Sequence, residues 1–195
     1  SSLSVISDLF EIQPRIFKIL MTRENNNSNS RFASLSINNK SYNLLYLILT
    51  RKLDPTAFGF TAFRKALQEY LGAIFLNKEI LATDSNLLKD IQSSIHYLAR
   101  VLEINSKTNH QESVSLVQDI VLTIHDLSLF EKFDMRLVGG ISNCLNKTLK
   151  NCPTADPNTV IQCLFKLYKS LSNALQALTG GGGIHTLEQK DNMHK

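Results

Sequence analysis

The sequence predicts an all-α fold of about seven antiparallel helices. Apolar residues recur three and four apart along most of the chain, the spacing that puts them on one helix face. No stretch sustains the alternation, bounded by turn residues, that marks a strand. Acids, prolines and small polar residues also fall where helix starts need them.

A first helix is expected over residues 3–22, bent or broken at Pro14, which has no N–H to give the ladder. Asn25 to Ser30, "NNNSNS", lacks the apolar area to hold a packed conformation, so residues 25–38 are expected to form a flexible loop. Helices follow near 40–53, 55–76, 84–104, 110–127, 129–151 and 157–178. Their core stripes are Phe60, Phe63, Leu67, Tyr70 and Ile74, then Leu88, Ile91, Ile95, Leu98 and Leu102, then Phe133, Leu137, Ile141, Leu145 and Leu149. The last helix offers Ile161, Leu164, Tyr168, Leu171, Leu175 and Leu178. Residues 114–130 are apolar on more than one face, which predicts a central helix, whereas the polar back of 84–104 predicts an outer one.

Helix starts are expected at Asp54-Pro55 and Asp156-Pro157, where an acid caps and the proline has no donor to lose. Thr83 or Asp84 is expected to cap the helix that carries Leu88. Thr108 with Gln111, and Ser128 with Glu131, have capping-box spacing. Gly139-Gly140 lies inside a helical pattern, where each glycine costs about 1 kcal/mol against alanine; the pair predicts a kink or a close helix contact.

Helix starts near 84 and 129, and near 110 and 157, are spaced by about 45 residues. In this spacing of paired helices, residues 55–178 resemble HEAT and armadillo repeats. The resemblance implies a stack of antiparallel helices in a single domain, residues 1–179. An irregular closed helical bundle is the other architecture the pattern allows.

The composition is that of an ordinary folded chain, 43% apolar and 19% charged, with a net charge of +4. No leader-like segment and no membrane span is evident, and the absence of an initiator Met predicts excision from a larger protein. Cys144, Cys152 and Cys163 are odd in number and lack zinc-ligand spacing, which predicts reduced thiols inside the cell, in cytoplasm or nucleus. Sequons at Asn26, Asn39 and Asn146 are read as chance triplets. Phosphate-loop, dinucleotide, zinc-protease and nucleophile-elbow motifs are all missing. His125 and Asp126 are neighbours pointing about 100° apart on a helix, not a catalytic pair. His125 and His96 are both read as boundary residues. No enzyme, cofactor, metal or small-molecule substrate is expected.

Charge is more informative. Residues 103–134 hold six acids against two bases, while 135–179 hold five bases, Arg136, Lys147, Lys150, Lys166 and Lys169, against one acid. The basic run predicts the rim of a groove for an acidic peptide, ahead of nucleic acid. The chain then passes through Gly180 to Gly183 into "IHTLEQKDNMHK". One glycine ends a helix; four make a tether. Residues 184–195 are therefore expected to be a disordered tail or a partner's peptide fused through the tether. Ile184, Leu187 and Met193 would enter apolar pockets, with Glu188 and Asp191 meeting the lysines. The function expected is a non-enzymatic scaffold or adaptor domain that binds a short protein segment. A nucleic-acid-binding domain and a secreted cytokine-like bundle are the alternatives.

Overall fold

Where these helices begin is set by short polar side chains that satisfy backbone donors with no intrahelical partner. Asn38 accepts from Lys40 N, Asp84 from Asn86 N and Leu87 N, Asp134 from Arg136 N, and Asp156 from Thr159 N. In a computed structural model, which describes residues 37–130 and 133–180, these caps open four of six α-helices. The helices are α1 (Asn39–Leu49), α2 (Phe60–Ala82), α3 (Ser85–Asn105), α4 (His110–Leu127), α5 (Met135–Lys150) and α6 (Pro157–Gly180). No strand occurs among the described residues, so the all-α class holds. The helix expected over 3–22 and most of the loop 25–38 lie outside them.

Several ends differ from expectation, each for a local reason. Helix α1 stops at Leu49 because Arg51 takes φ 60°, and Arg51 N and Lys52 N bond back to Ile48 O and Leu47 O. This double closure normally recruits glycine. Asp54 accepts from Thr56 N and Oγ1 in a tight turn, so α2 starts at Phe60 and not beside Pro55. Neither expected capping box forms at a helix start. Thr108 is followed by Asn109 as N-cap, with no side-chain cap bond. Ser128 closes the end of α4 by donating to His125 O, and α5 starts at Met135 behind Asp134.

The helices alternate between two layers. Helices α2, α4 and α6 lie side by side in one; α3 and α5 lie side by side in the other, with α1 beside α3 and packed on α2. Side chains join each helix to the one two places on. Gln68 donates to Asp119 (3.4 Å), Lys78 pairs with Asp126 (3.9 Å) and Asn173 donates to Ser128 (3.2 Å). Gln92 exchanges two 3.1 Å bonds with the backbone of Asp134, and Asn151 donates to Ser106 (3.0 Å). Starts meet starts and ends meet ends, so helices within a layer are parallel. The short links make successive helices antiparallel.

Helix α3 is not an outer helix. Its apolar stripe, Leu88 to Leu102, is fully buried, and so are Asp90, Gln92, Ser94 and Glu103 on its polar back. Gln92 holds the start of α5, Ser94 meets the Tyr70 hydroxyl, and Glu103 pairs with Arg100. These contacts offset part of the desolvation cost, although Oε1 of Glu103 and Nε of Arg100 have no hydrogen-bond partner among the described residues. Helix α4 is central as expected, with Val117, Ile120, Val121 and Ile124 buried.

The two glycines of α5 behave differently. A Cβ on Gly139 would meet nothing within 4 Å, whereas one on Gly140 would come 2.6 Å from Nε2 of His96. The expected close contact is thus real, and it belongs to Gly140 alone. Burial among these helices pushes the His96 imidazole below its ordinary value. Gly139→Ala should stabilise the fold by up to about 1 kcal/mol, and Gly140→Ala should destabilise it by about 1–3 kcal/mol. Urea unfolding of both variants checks this. The Gly140→Ala penalty should shrink on a His96→Ala background, which removes the ring that the new methyl meets.

Candidate functional site

The last helix carries more apolar side chains than its neighbours can cover. Helix α6 packs on α4 and α5 through a narrow line: Cys163, Leu167, Ser170 and Ala174. These recur at three and four, and three of them are small, which brings the helix axes close. The stripe expected to be core turns outward. Ile161 is 63% exposed, Phe165 57% and Tyr168 68%, with Leu164, Leu171 and Leu175 also exposed. The cause is position. A helix inside the alternating order has neighbours in its own layer on both sides, whereas α6 has only α4 there among the described residues. Leu178 lies where side chains are not described.

The expected basic rim does not converge on one groove. Arg136 stands at the start of α5, 84% exposed, beside Asp134. Lys147 acts electrostatically on the Cys144 thiol together with Arg100 of α3, so it belongs to the α3–α5 layer. Lys150 is exposed in the last turn of α5. Lys166 and Lys169 lie instead on the α4 flank of α6, where both act on His125. Partial burial pushes the His125 imidazole below its ordinary 6.5; the two lysines add to this and Asp126 opposes it. The expected ligand-like residues, Ile184, Leu187, Glu188, Asp191 and Met193, lie outside the described residues.

Lys166 lines a depression of about 160 Å³ between α4 and α6, together with Gln118, Val121, Leu122, Gln162 and Cys163. Leu122, 48% exposed, also borders a larger depression of about 420 Å³ between α2 and α4. That one is acidic, flanked by Asp119 and Asp126, with Phe75 on its wall. The layer of α2, α4 and α6 therefore presents a row of apolar residues with acids towards α2 and bases towards α6.

The sequence reading missed His125 as a companion of Lys166 and Lys169, and missed the outward turn of α6. A signal for the second was present: Cys163, Ser170 and Ala174 form a line of small residues suited to close helix contact. All three cysteines are free and buried, and burial pushes their thiols up, away from nucleophile or ligand behaviour. No His, Cys, Asp and Glu cluster able to hold a metal occurs among the described residues. No described helix is long and apolar enough to cross a membrane. No protein-family model, curated protein or solved structure matches this chain.

The two faces of α6 separate in a mutational test. Leu167→Ala should cost about 2–4 kcal/mol, as for other buried leucines. Phe165→Ala should stay within about 0.5 kcal/mol, as surface changes do. Thermal or urea unfolding reads both. Equal losses would mean that α6 faces the other way.

Proposed function

We propose that this chain is a non-enzymatic protein-interaction domain, a scaffold or adaptor of HEAT/armadillo-like helical repeats, and that α6 is its docking helix. One observation supports this above the rest: six large apolar residues, Ile161, Leu164, Phe165, Tyr168, Leu171 and Leu175, are exposed along one helix. Singly exposed apolar residues are ordinary; a contiguous row marks a surface that something covers. The recurrence of lateral contacts at spacings of 42 to 51 residues agrees with the repeat reading. In a repeat stack an outer helix needs either a polar face or a neighbour.

The occupant we propose is residues 184–195. The glycine tether delivers this segment beside the end of α6. As a free helix, twelve residues would be marginal in water; an apolar face would supply what they lack. Twelve helical residues span about 18 Å, the length of the stripe from Leu164 to Leu175. Ile184 and Leu187 would seat on the stripe, and Met193 would lie towards its far end. The scattering of Arg136, Lys147 and Lys150 away from Lys166 and Lys169 favours this reading over nucleic acid, which wants one continuous basic track.

Calorimetric titration of residues 1–179 with a synthetic peptide of residues 184–195 tests the proposal. Binding should be micromolar or tighter, a strength that a tether supplying about millimolar effective concentration would saturate. A Leu187→Asp peptide should bind at least ten-fold more weakly. No binding at millimolar peptide would remove the docking role from this segment.

A further inference from the structure

Lys166 lines the α4–α6 crevice, and Lys169 and His125 stand near it. Lys166 and Lys169 stand one turn apart on the α4 flank of α6 and make no ion pair among the described residues. Lys169 rests over the ring of Phe165, 4.9 Å from its centroid. His125 faces them from α4. The nearest acid, Asp126, is shared with Lys78 of α2. The two lysines have no acid partner among the described residues, so an arriving anion would pair with them. Lys166 shares this crevice with the apolar walls of Val121 and Leu122 and the amides of Gln118 and Gln162. An anion-accepting end beside an apolar one suits an amphipathic segment better than a bare phosphate.

The tail has matching chemistry and matching spacing. Glu188 and Asp191 are three residues apart, as are Lys166 and Lys169. The described part of α6 runs to Gly180, and in this proposal Gly181 to Gly183 would form the bridge. Three extended residues reach about 10 Å, the rise of about seven helical residues. Fully stretched back along α6, they set Ile184 level with Asn173. A helix continuing antiparallel to α6 then brings Glu188 level with Lys169 and Asp191 level with Lys166. The Asn173–Ser128 bond puts His125 within a turn of the same level.

We propose that Lys166, Lys169 and His125 form an anion-recognition site for the carboxylates of residues 184–195, with Glu188 and Asp191 as its ligands, and that His125 makes this docking sensitive to pH. The site rests on the docking reading of α6 and gives it a direction. With no anion bound, the two lysines and partial burial disfavour the charged imidazole, and Asp126 only partly offsets them. Two bound carboxylates favour it. Protonation and docking therefore assist each other, so affinity rises as pH falls through the range just below 6.5, the ordinary histidine value. The peptide's carboxylates, which titrate near 4, remain charged there, and its own His185 and His194, which would gain charge over the same range and oppose docking, are replaced by Gln in the test peptides.

The test uses the full chain with Ile184→Ser, Leu187→Ser, Met193→Ser, Glu188→Gln and Asp191→Asn, so that its own tail supplies neither apolar residues nor acids to compete. The peptide of residues 184–195, with His185→Gln and His194→Gln, is added and the His125 imidazole is followed by NMR, assigned with a His125→Gln variant. The peptide with both acids intact should raise the His125 pKa and bind several-fold more tightly near pH 6 than near pH 8. A peptide with both acids neutralised should do neither. Lys166→Glu with Lys169→Glu should weaken the acid-bearing peptide at least ten-fold. Both side chains are at the surface flank, and a circular dichroism melt shows whether the variant is folded. Lys166→Gln with Lys169→Gln gives a milder second pair. Binding that leaves His125 unmoved and ignores both lysine pairs overturns the anion site while the docking face stands. No binding of either peptide removes both. A short RNA that moves His125 when the peptide does not would assign the crevice to nucleic acid and overturn the proposal.

Discussion

The structure depends on lateral packing between helices two places apart in the chain. Sequence neighbours are joined by turns of a few residues and would lie near each other in almost any helical bundle. It is the longer pairings, α3 with α5, α2 with α4 and α4 with α6, that order the stack. Their register is set by directional contacts. The Gln92 carboxamide reads the backbone of Asp134 as another peptide unit would, donating and accepting at once. One turn further on, His96 lies against Gly140, where only a missing side chain leaves room. A slip of one residue between α3 and α5 would break both contacts, leaving a buried amide without partners and a ring against a side chain. Apolar burial drives the layers together without direction, and these few contacts select the alignment.

This ordering explains which polar residues are inside. Glu103, Gln92 and Ser94 lie on a helix that touches four others, and each reaches across to a different element or along its own helix. Sequence pattern alone assigns such residues to the solvent side. The period of α3 is unmistakable in Leu88, Ile91, Ile95, Leu98 and Leu102, but the same period cannot say how many sides are covered. Coverage is set by the number of neighbours, which is a property of the stack. Helix α4 was legible as central because it is apolar on several faces; α3 was not, because its second face is polar and partly buried by its neighbours.

The same limitation acts in reverse on α6. Its large residues made a convincing core stripe, and the physics of the stripe was correct: such a face does seek cover. The sequence could not show that the described part of the stack ends there, with the smaller line of Cys163, Leu167, Ser170 and Ala174 already taken by α4 and α5. The basic run between 135 and 179 was legible as charge but not as geometry. Successive helices alternate layers, so a run that crosses from α5 to α6 is divided between two faces. Lys147 goes with Arg100, and Lys166 and Lys169 go with His125. A charge on α6 finds its companions one layer-neighbour away, about 45 residues back along the chain.

The division of labour proposed for α6 follows from the strengths of the two kinds of contact. Ion pairs at a surface crevice are each worth at most about 1 kcal/mol and weaken with salt, so Lys166 and Lys169 would not hold a peptide by themselves. Burying a large apolar side chain is worth about 1.5–3 kcal/mol and has no direction. An apolar face alone would accept a helix in either sense and at several registers. The crevice breaks that degeneracy: two bases one turn apart, with an imidazole across from them, favour one end and one level over all others. Affinity would then come from Leu164, Tyr168 and Leu171, and orientation from the lysines. A histidine placed among the orienting groups adjusts the selectivity more than the strength, and a short tether makes a weak but well-aligned site sufficient.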